Sequence, residues 1–322
     1  MGLNVGSGAT IVPKESVPKG PFFIRPASIH AQTVLYNTPV VDLRRALASL
    51  WRTTELMIAD GVCSGLTVRY GDSSSSPCLS PETLDALRRE FPAPLVIEYD
   101  FFNANLGSAG GQNRLAAAAS ADFIFILNPD VVVSPRAIEF LLEPFKRPDV
   151  GMTEAKQLPI EHPKDFDLST GDTVWTSGAC SMVPRALFHA VGGYDAKTFF
   201  LYCDDVDLAW RVRHAGFRLI HQPAAVVFHD KRLDDDGGWR PGAAERYYSA
   251  EAALLLAHKW SRPDIVKRIL RVYDAHGDEH ERKAAEEYRR RAAAGGLPTP
   301  VPGGKQTSRF VGDAYAKHRY VV

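Results

Sequence analysis

Phe123-Ile124-Phe125-Ile126-Leu127-Asn128-Pro129-Asp130 is the stretch on which the fold turns. Five apolar residues without a polar break suit a strand covered on both faces, and such strands belong to parallel sheets wrapped by helices. The run stops at Asn128-Pro129, a turn-forming pair, which leaves Asp130 at the carboxyl end of the strand. Just upstream, the alanine-rich segment Gln112 to Ala121 predicts a helix.

The same alternation extends towards the N-terminus. Thr33 to Tyr36 reads as a short strand ending in Asn37-Thr38-Pro39. Val40, Leu43, Leu47, Leu50, Trp51 and Thr54 are then spaced for one buried helical face. Leu66 to Tyr70 predicts a second strand, stopped by the polar turn Gly71 to Pro77. Ser80 and Pro81 open a helix as cap and first-turn proline. Leu95 to Tyr99 predicts a third strand, followed by a loop with Asn103, Asn105, Gly107, Gly110 and Gly111. Strands alternating with helices at this spacing imply βαβ crossovers and a mostly parallel sheet, an α/β fold. Ligands of such sheets sit beyond the carboxyl ends of the strands. The polar segments after Tyr36, Tyr70, Tyr99 and Leu127 therefore point to one cleft.

The flanks differ. Residues 1–30 carry scattered Gly and Pro with no sustained period and predict an irregular arm; 31–240 form the main domain. Residues 241–322 read as a helical extension, with helices over Ala243 to Trp260, Pro263 to Ala275 and Glu279 to Ala294, and a Pro- and Gly-rich tail. Docking of these helices onto the main domain is expected over membrane contact, because exposed apolar patches are rare.

Across the 322 residues, 38 basic and 38 acidic side chains cancel, so no overall field favours nucleic acid or an anionic surface. Cys63, Cys78, Cys180 and Cys203 are scattered, without the spacing of a zinc site or redox pair. No apolar run approaches the roughly 20 residues that cross a bilayer, and no signal-peptide layout opens the chain. A cytoplasmic location is expected, with the inner face of the membrane as the alternative.

Three constellations carry chemistry. Asp130, at the rim of the cleft, is either a turn aspartate or an anchor for a divalent cation that holds a diphosphate. Asp204, Asp205 and Asp207 crowd the start of a helix whose buried face is Leu208, Ala209, Val212 and Ala215. One acid suffices as a cap, the expected part of Asp204, with Asp207 in support; three exceed that need, and crowded charge raises a carboxyl pKa as a general base requires. Val226-Val227-Phe228-His229 ends a short apolar strand in a histidine, a metal ligand or a group merely hydrogen-bonded at the strand end. The loop Asn105 to Arg114 can offer backbone N–H groups to phosphate. It matches neither the dinucleotide signature nor a P-loop.

In this order the pieces resemble the family 2 glycosyltransferases, in particular their bacterial rhamnosyltransferase-like branch. The matching residues are Leu35-Tyr36-Asn37, Asn105 to Arg114, Asn128-Pro129-Asp130, Ser177-Gly178-Ala179-Cys180, Gly192-Gly193-Tyr194-Asp195, Phe200 to Arg211 and Phe228-His229. The resemblance implies a GT-A fold, Rossmann-like with a C-terminal helical appendage, and a metal-dependent inverting transferase. Asp130 then matches the last acid of the family's Asp-x-Asp motif, with Asn128 in place of the first, and is the main anchor for Mg2+ or Mn2+, while His229 matches a histidine that joins the metal or the diphosphate in some members. Asp205 matches the catalytic base. Tyr36, Asn37, Asp72, Asn105, Gly107, Arg114 and Asn128 are the expected donor-binding residues. Asp72 stands in for the base-reading acid that the family places at the end of its second strand. Trp175, Gly178, Ala179 and Asp204 are expected at the acceptor or sugar pocket, with a core role as the alternative for Trp175 and an ion pair as that for Arg114.

The implied donor is a nucleotide sugar of the dTDP-rhamnose or UDP-sugar type. The implied acceptor is a carbohydrate or lipid-linked glycan. Two other readings compete. A catalytically inactive nucleotide-sugar-binding module has no use for Asp205. A glycoside hydrolase has two carboxylates but no call for Asn128-Pro129-Asp130 beside a phosphate-type cleft.

Overall fold

The computed structural model describes residues 16–161, 163–230 and 241–317. Residues 1–15 of the expected arm and the expected domain boundary at 240 lie outside them. In chain order the strands are β1 (Ala27–Leu35), β2 (Cys63–Asp72), β3 (Leu95–Phe101), β4 (Phe123–Leu127), β5 (Val131–Val133), β6 (Val150–Leu158), β7 (Asp172–Thr173), β8 (Cys180–Pro184) and β9 (Arg218–His229). The longer helices are α1 (Val40–Ala59), α2 (Pro81–Glu90), α3 (Gly107–Ala116), α4 (Ala137–Leu142), α5 (Arg185–Ala190), α6 (Asp204–His214), α7 (Ala243–Lys259), α8 (Pro263–His276) and α9 (Glu279–Ala293), with a final turn, α10 (Gly304–Thr307).

All five residues of β4 are buried, and the pleat divides them between two cores. Phe123, Phe125 and Leu127 pack with Leu43, Leu47 and Leu50 of α1 and with α4. Ile124 and Ile126 face the other way, into a cluster with α3, α5, α6 and α7. The sheet runs β3-β2-β1-β4-β8-β6-β9-β5, with β7 added on β9. It is parallel from β3 to β4; β8 then pairs antiparallel with both β4 and β6. The fold is α/β, with the carboxyl ends of β1 to β4 on one edge.

Several boundaries depart from the sequence reading for identifiable reasons. β1 starts inside the expected arm, because Phe23 is buried against Phe123 (ring centroids 6.4 Å apart) and ties that segment to the core. β2 continues through Gly71 and Asp72, where a turn was expected. A side chain at Gly71 would strike the Phe102 ring, its Cβ 2.3 Å from Cζ, so the glycine is what lets the strand lie there. Helix α3 starts at Gly107, five residues early. Gly107 has φ +65°, and a Cβ there would meet the Phe200 carbonyl oxygen at 2.3 Å. Close packing outweighs the low helix propensity of glycine. β9 reaches back to Arg218, well before Val226.

The C-terminal helices share one hydrophobic cluster with α6. Leu254, Leu255, Leu256 and Trp260 pack with Leu208, Ala209, Trp210 and Val212, and the Trp210 and Trp260 rings meet edge to face at 5.4 Å. A buried ionic clamp adds to this contact. Lys259 Nζ lies 2.7 Å from Asp195 and 2.8 Å from Asp207, while Arg211 Nε donates to Asp207 at 2.8 Å. Burial alone would raise the Asp207 pKa, but Lys259 and Arg211 outweigh it and hold the carboxyl below its usual range. No helix among the described residues is long and apolar enough to cross a membrane.

Candidate active site

β-Pairing assembles one side of the cleft. β5 runs antiparallel to β9 with Val131 opposite His229, so the residue before Val131 sits beside that histidine. Asp130 Oδ1 is 3.3 Å from His229 Nε2. The ring is buried, and its Nδ1 lies 2.8 Å from Gln157 Oε1. An Nδ1–H donated to that oxygen turns the Nε2 lone pair towards the carboxylate. Such a pair repels unless a proton or a cation lies between the two groups. Asn128 Nδ2 approaches the same nitrogen at 3.4 Å.

The other side hangs on the turn before β8. Leu127 pairs with Cys180, which brings the turn against the end of β4, and Asn128 N–H donates to the Ala179 carbonyl at 2.9 Å. Ser177 N–H donates to Glu154 Oε2 and Gly178 N–H to Asp205 Oδ2, each at 2.7 Å. Asp205 Oδ1 accepts from Val206 N–H at 2.8 Å. Helix α6 is entered through two successive left-handed residues, Tyr202 (φ 65°) and Cys203 (φ 55°), a strained approach of the kind found at functional sites. The Tyr202 hydroxyl is anchored 3.0 Å from Glu245 of α7.

This corrects the expected cap. Cys203, not Asp204, occupies the N-cap, without a side-chain hydrogen bond, and Asp204 is the first helical residue. The residue is 5% exposed; its carboxyl accepts from Ser108 and leaves Oδ2 with no partner among the described residues. Burial, then the charge of Asp205, pushes the Asp204 pKa up to about 7. Burial raises Asp205 as well, against the pull of the Gly178 and Val206 amides and of Lys164.

Asp130 and Asp205 line one cavity of about 1110 Å3, together with Asn128, Gly178, Ala179, Asp204 and His229. Its far wall comes from α7, α8 and residues 310–317, which the sequence reading did not place at the site. Of the expected donor-binding residues, Asn128 lines this cavity; Tyr36, Asn37, Asp72, Asn105, Gly107 and Arg114 do not. Tyr36 and Asn37 are exposed at the end of β1, with Asn37 N–H donating to Ser74. Asn105 closes a turn on Gly107 N–H. Arg114 is exposed, its guanidinium 4.5 Å from the Phe102 ring centroid.

Asp72 is fully buried, and its oxygens accept from Ser74 N–H, Cys78 N–H and the Tyr99 hydroxyl at 2.9, 2.6 and 2.5 Å. Its carboxylate staples the loop after β2. Trp175 is buried behind the Ser177 turn and does not line the cavity, in keeping with the core alternative. Ser108, Gln112 and Tyr194, which do line it, were missed. Gln32 of β1, which is buried, bonds Gln112 at 2.7 Å.

Among the described residues no group of three or more His, Cys, Asp or Glu is arranged to hold a metal ion. Asp130 and His229 fit a hard cation that takes its other ligands from phosphate oxygens and water.

Residues 72–175 match the family described as Glycosyl transferase family 2. The chain is 27% identical over 241 residues to the N-acetylglucosaminyl-diphospho-decaprenol L-rhamnosyltransferase of Mycobacterium tuberculosis (strain ATCC 25618 / H37Rv), a match covering 60% of this chain and 73% of that protein. It is 26% identical over 174 residues to rhamnosyltransferase WbbL of Escherichia coli (strain K12), covering 42% and 66%. Mannosyltransferase PcManGT from Pyrobaculum calidifontis, solved in complex with GDP-Man and Mn2+, superposes with a TM-score of 0.51 at 17% identity, over 86% of this chain and 82% of that one. That likeness concerns the fold, which is GT-A.

Proposed function

We propose that the chain is a glycosyltransferase of family 2, in its rhamnosyltransferase-like branch, and that it inverts the anomeric centre it transfers. The donor is dTDP-rhamnose or a UDP-sugar, and the acceptor is a hydroxyl of a carbohydrate or lipid-linked glycan in polysaccharide synthesis. One observation carries the reading: Asp130 and Asp205, distant along the chain, line the same cavity. The rhamnosyl donor is favoured by the two rhamnosyltransferase relatives.

Asp205 takes the proton of the acceptor hydroxyl. The oxygen attacks the anomeric carbon as the bond to the diphosphate breaks on the opposite face. A base whose pKa is raised by burial binds that proton more firmly than an ordinary aspartate, and the Gly178 amide keeps its carboxylate oriented. Asp130 and His229 would hold Mg2+ or Mn2+, which when bound supplies charge neutralisation for the leaving diphosphate, worth several kcal/mol. Gln157 orients the imidazole for that task. Ala253, Leu256, Ile269 and Val272 make part of the far wall apolar and suit an acceptor with an apolar portion, such as a polyprenyl diphosphate. Residues 31–240 form the transferase domain in this reading, and 241–322 complete its acceptor side.

The test incubates the protein with dTDP-rhamnose, Mn2+ and N-acetylglucosaminyl-diphospho-decaprenol, and reads the anomeric configuration of the product by NMR. Transfer with inversion is expected. Retention of configuration would remove Asp205 from the role of base, and metal-dependent dTDP binding without turnover on any acceptor would mark a binding module instead.

A further inference from the structure

Behind the Ser177–Gly178 turn lies a charge cluster that the chemistry above does not use. Glu154, in the middle of β6, and Lys164, in the segment after it, each have side chains only 1% exposed. The Lys164 ammonium lies 2.5 and 2.7 Å from the two Glu154 oxygens. His221, directly opposite Glu154 on β9, brings Nδ1 to 3.1 Å. Lys164 also faces Trp175, 3.3 Å from its carbonyl oxygen and 3.5 Å from its ring centroid. Burying an ion pair is costly, and an apolar pair of similar volume is often no less stable. The pair therefore calls for a reason beyond stability.

The turn supplies it. Two successive amides hang from two carboxylates, Ser177 N–H from Glu154 and Gly178 N–H from Asp205. A shift of Glu154 moves the peptide that orients Asp205. The titratable groups that face Asp205 are Cys203 at the N-cap of α6, Asp204 on α6, Tyr194 on the segment before it, Glu154 on β6 and Lys164 after β6. Among these, Lys164 is the cation.

We infer that Lys164 and Glu154 are positioning residues for Asp205: the ion pair fixes the Glu154 carboxylate, and through Ser177 N–H it pins the turn whose Gly178 N–H orients the Asp205 carboxylate. The inference rests on Asp205 being the base. It makes a prediction in two directions. Lys164→Met removes the cation and leaves the negative Glu154, so the protonation midpoint of Asp205 moves up. Glu154→Gln removes the anion and leaves the cation, so the midpoint moves down. Loss of packing alone would not produce opposite shifts.

The measurement is 13C NMR titration of aspartate carboxyls in the full-length chain, with the Asp205 resonance assigned by its loss in Asp205→Asn. The acid limb of kcat/KM for dTDP-rhamnose turnover is followed in parallel. Lys164→Arg keeps the charge and should restore the wild-type midpoint, which keeps the test decisive if Glu154→Gln does not fold. An unmoved midpoint in Lys164→Met, or shifts of the same sign in both variants, overturns the inference. Failure of the base reading shows separately, as wild-type turnover by Asp205→Asn whatever Lys164→Met does to the titration.

Discussion

The strand tips of β1 to β3 and the start of α6 both carry polar residues, but the two regions treat them differently. At the tips the polar groups close local turns: Asp72 holds the loop through Cys78, Asn105 bonds Gly107, and Asn37 leans on Ser74. At α6 the acids are set into the body of the protein, just after the left-handed residues Tyr202 and Cys203, with one Asp204 oxygen left without a partner among the described residues. The first region is stable at the expense of reach, and the second keeps reactive groups at a cost in stability. A carboxylate at a strand end is thus not by itself a ligand.

The largest test of this contrast is Asp205→Asn. About a thousandfold loss of kcat is expected with dTDP affinity retained, since general bases contribute in that range. Steady-state kinetics with calorimetry checks it, and near-wild-type turnover would dissolve the distinction. Asp130→Ala comes next. It should remove about 10- to 100-fold of the Mn2+-stimulated dTDP affinity, and equal binding with and without EDTA would take Asp130 out of the metal's reach. Asp72→Ala should cost about 2–4 kcal/mol of stability in urea unfolding, because it strands two amides and a hydroxyl. Its kcat should hold; a collapse of donor affinity in a folded Asp72→Ala protein would assign it the donor role.

The smallest effect concerns Asp204. Its folded pKa, about 7, lies above the unfolded aspartate value, so the stability tied to its proton is present at low pH and lost as pH rises through about 7. Asp204→Asn should therefore narrow the drop in Tm between pH 5 and pH 8, measured by scanning calorimetry. An unchanged drop would mean that the buried acid carries no penalty.

The α/β class was legible because β4 is apolar on both faces and every strand before it alternates with a helix. Asp130 and Asp205 were legible as candidates because each sits at the end of an element that periodicity alone delimits. Gly107 to Gly111 was misread as loop because their packing against Phe200 and Val34 involves residues far along the chain. The Lys164–Glu154 pair was invisible for a related reason. Only the register of β6 against β8 and β9 brings that carboxylate under the turn.

The clamp between Lys259 and Asp207 sets an order of events during synthesis. The helix bearing Asp205 borrows its buried counter-charge from a lysine made some fifty residues later, so a ribosome-bound chain that ends before α7 has left the exit tunnel carries Asp207 beside Arg211 alone. The buried charge of Asp207 is therefore fully compensated only once the helix that carries Lys259 has been made.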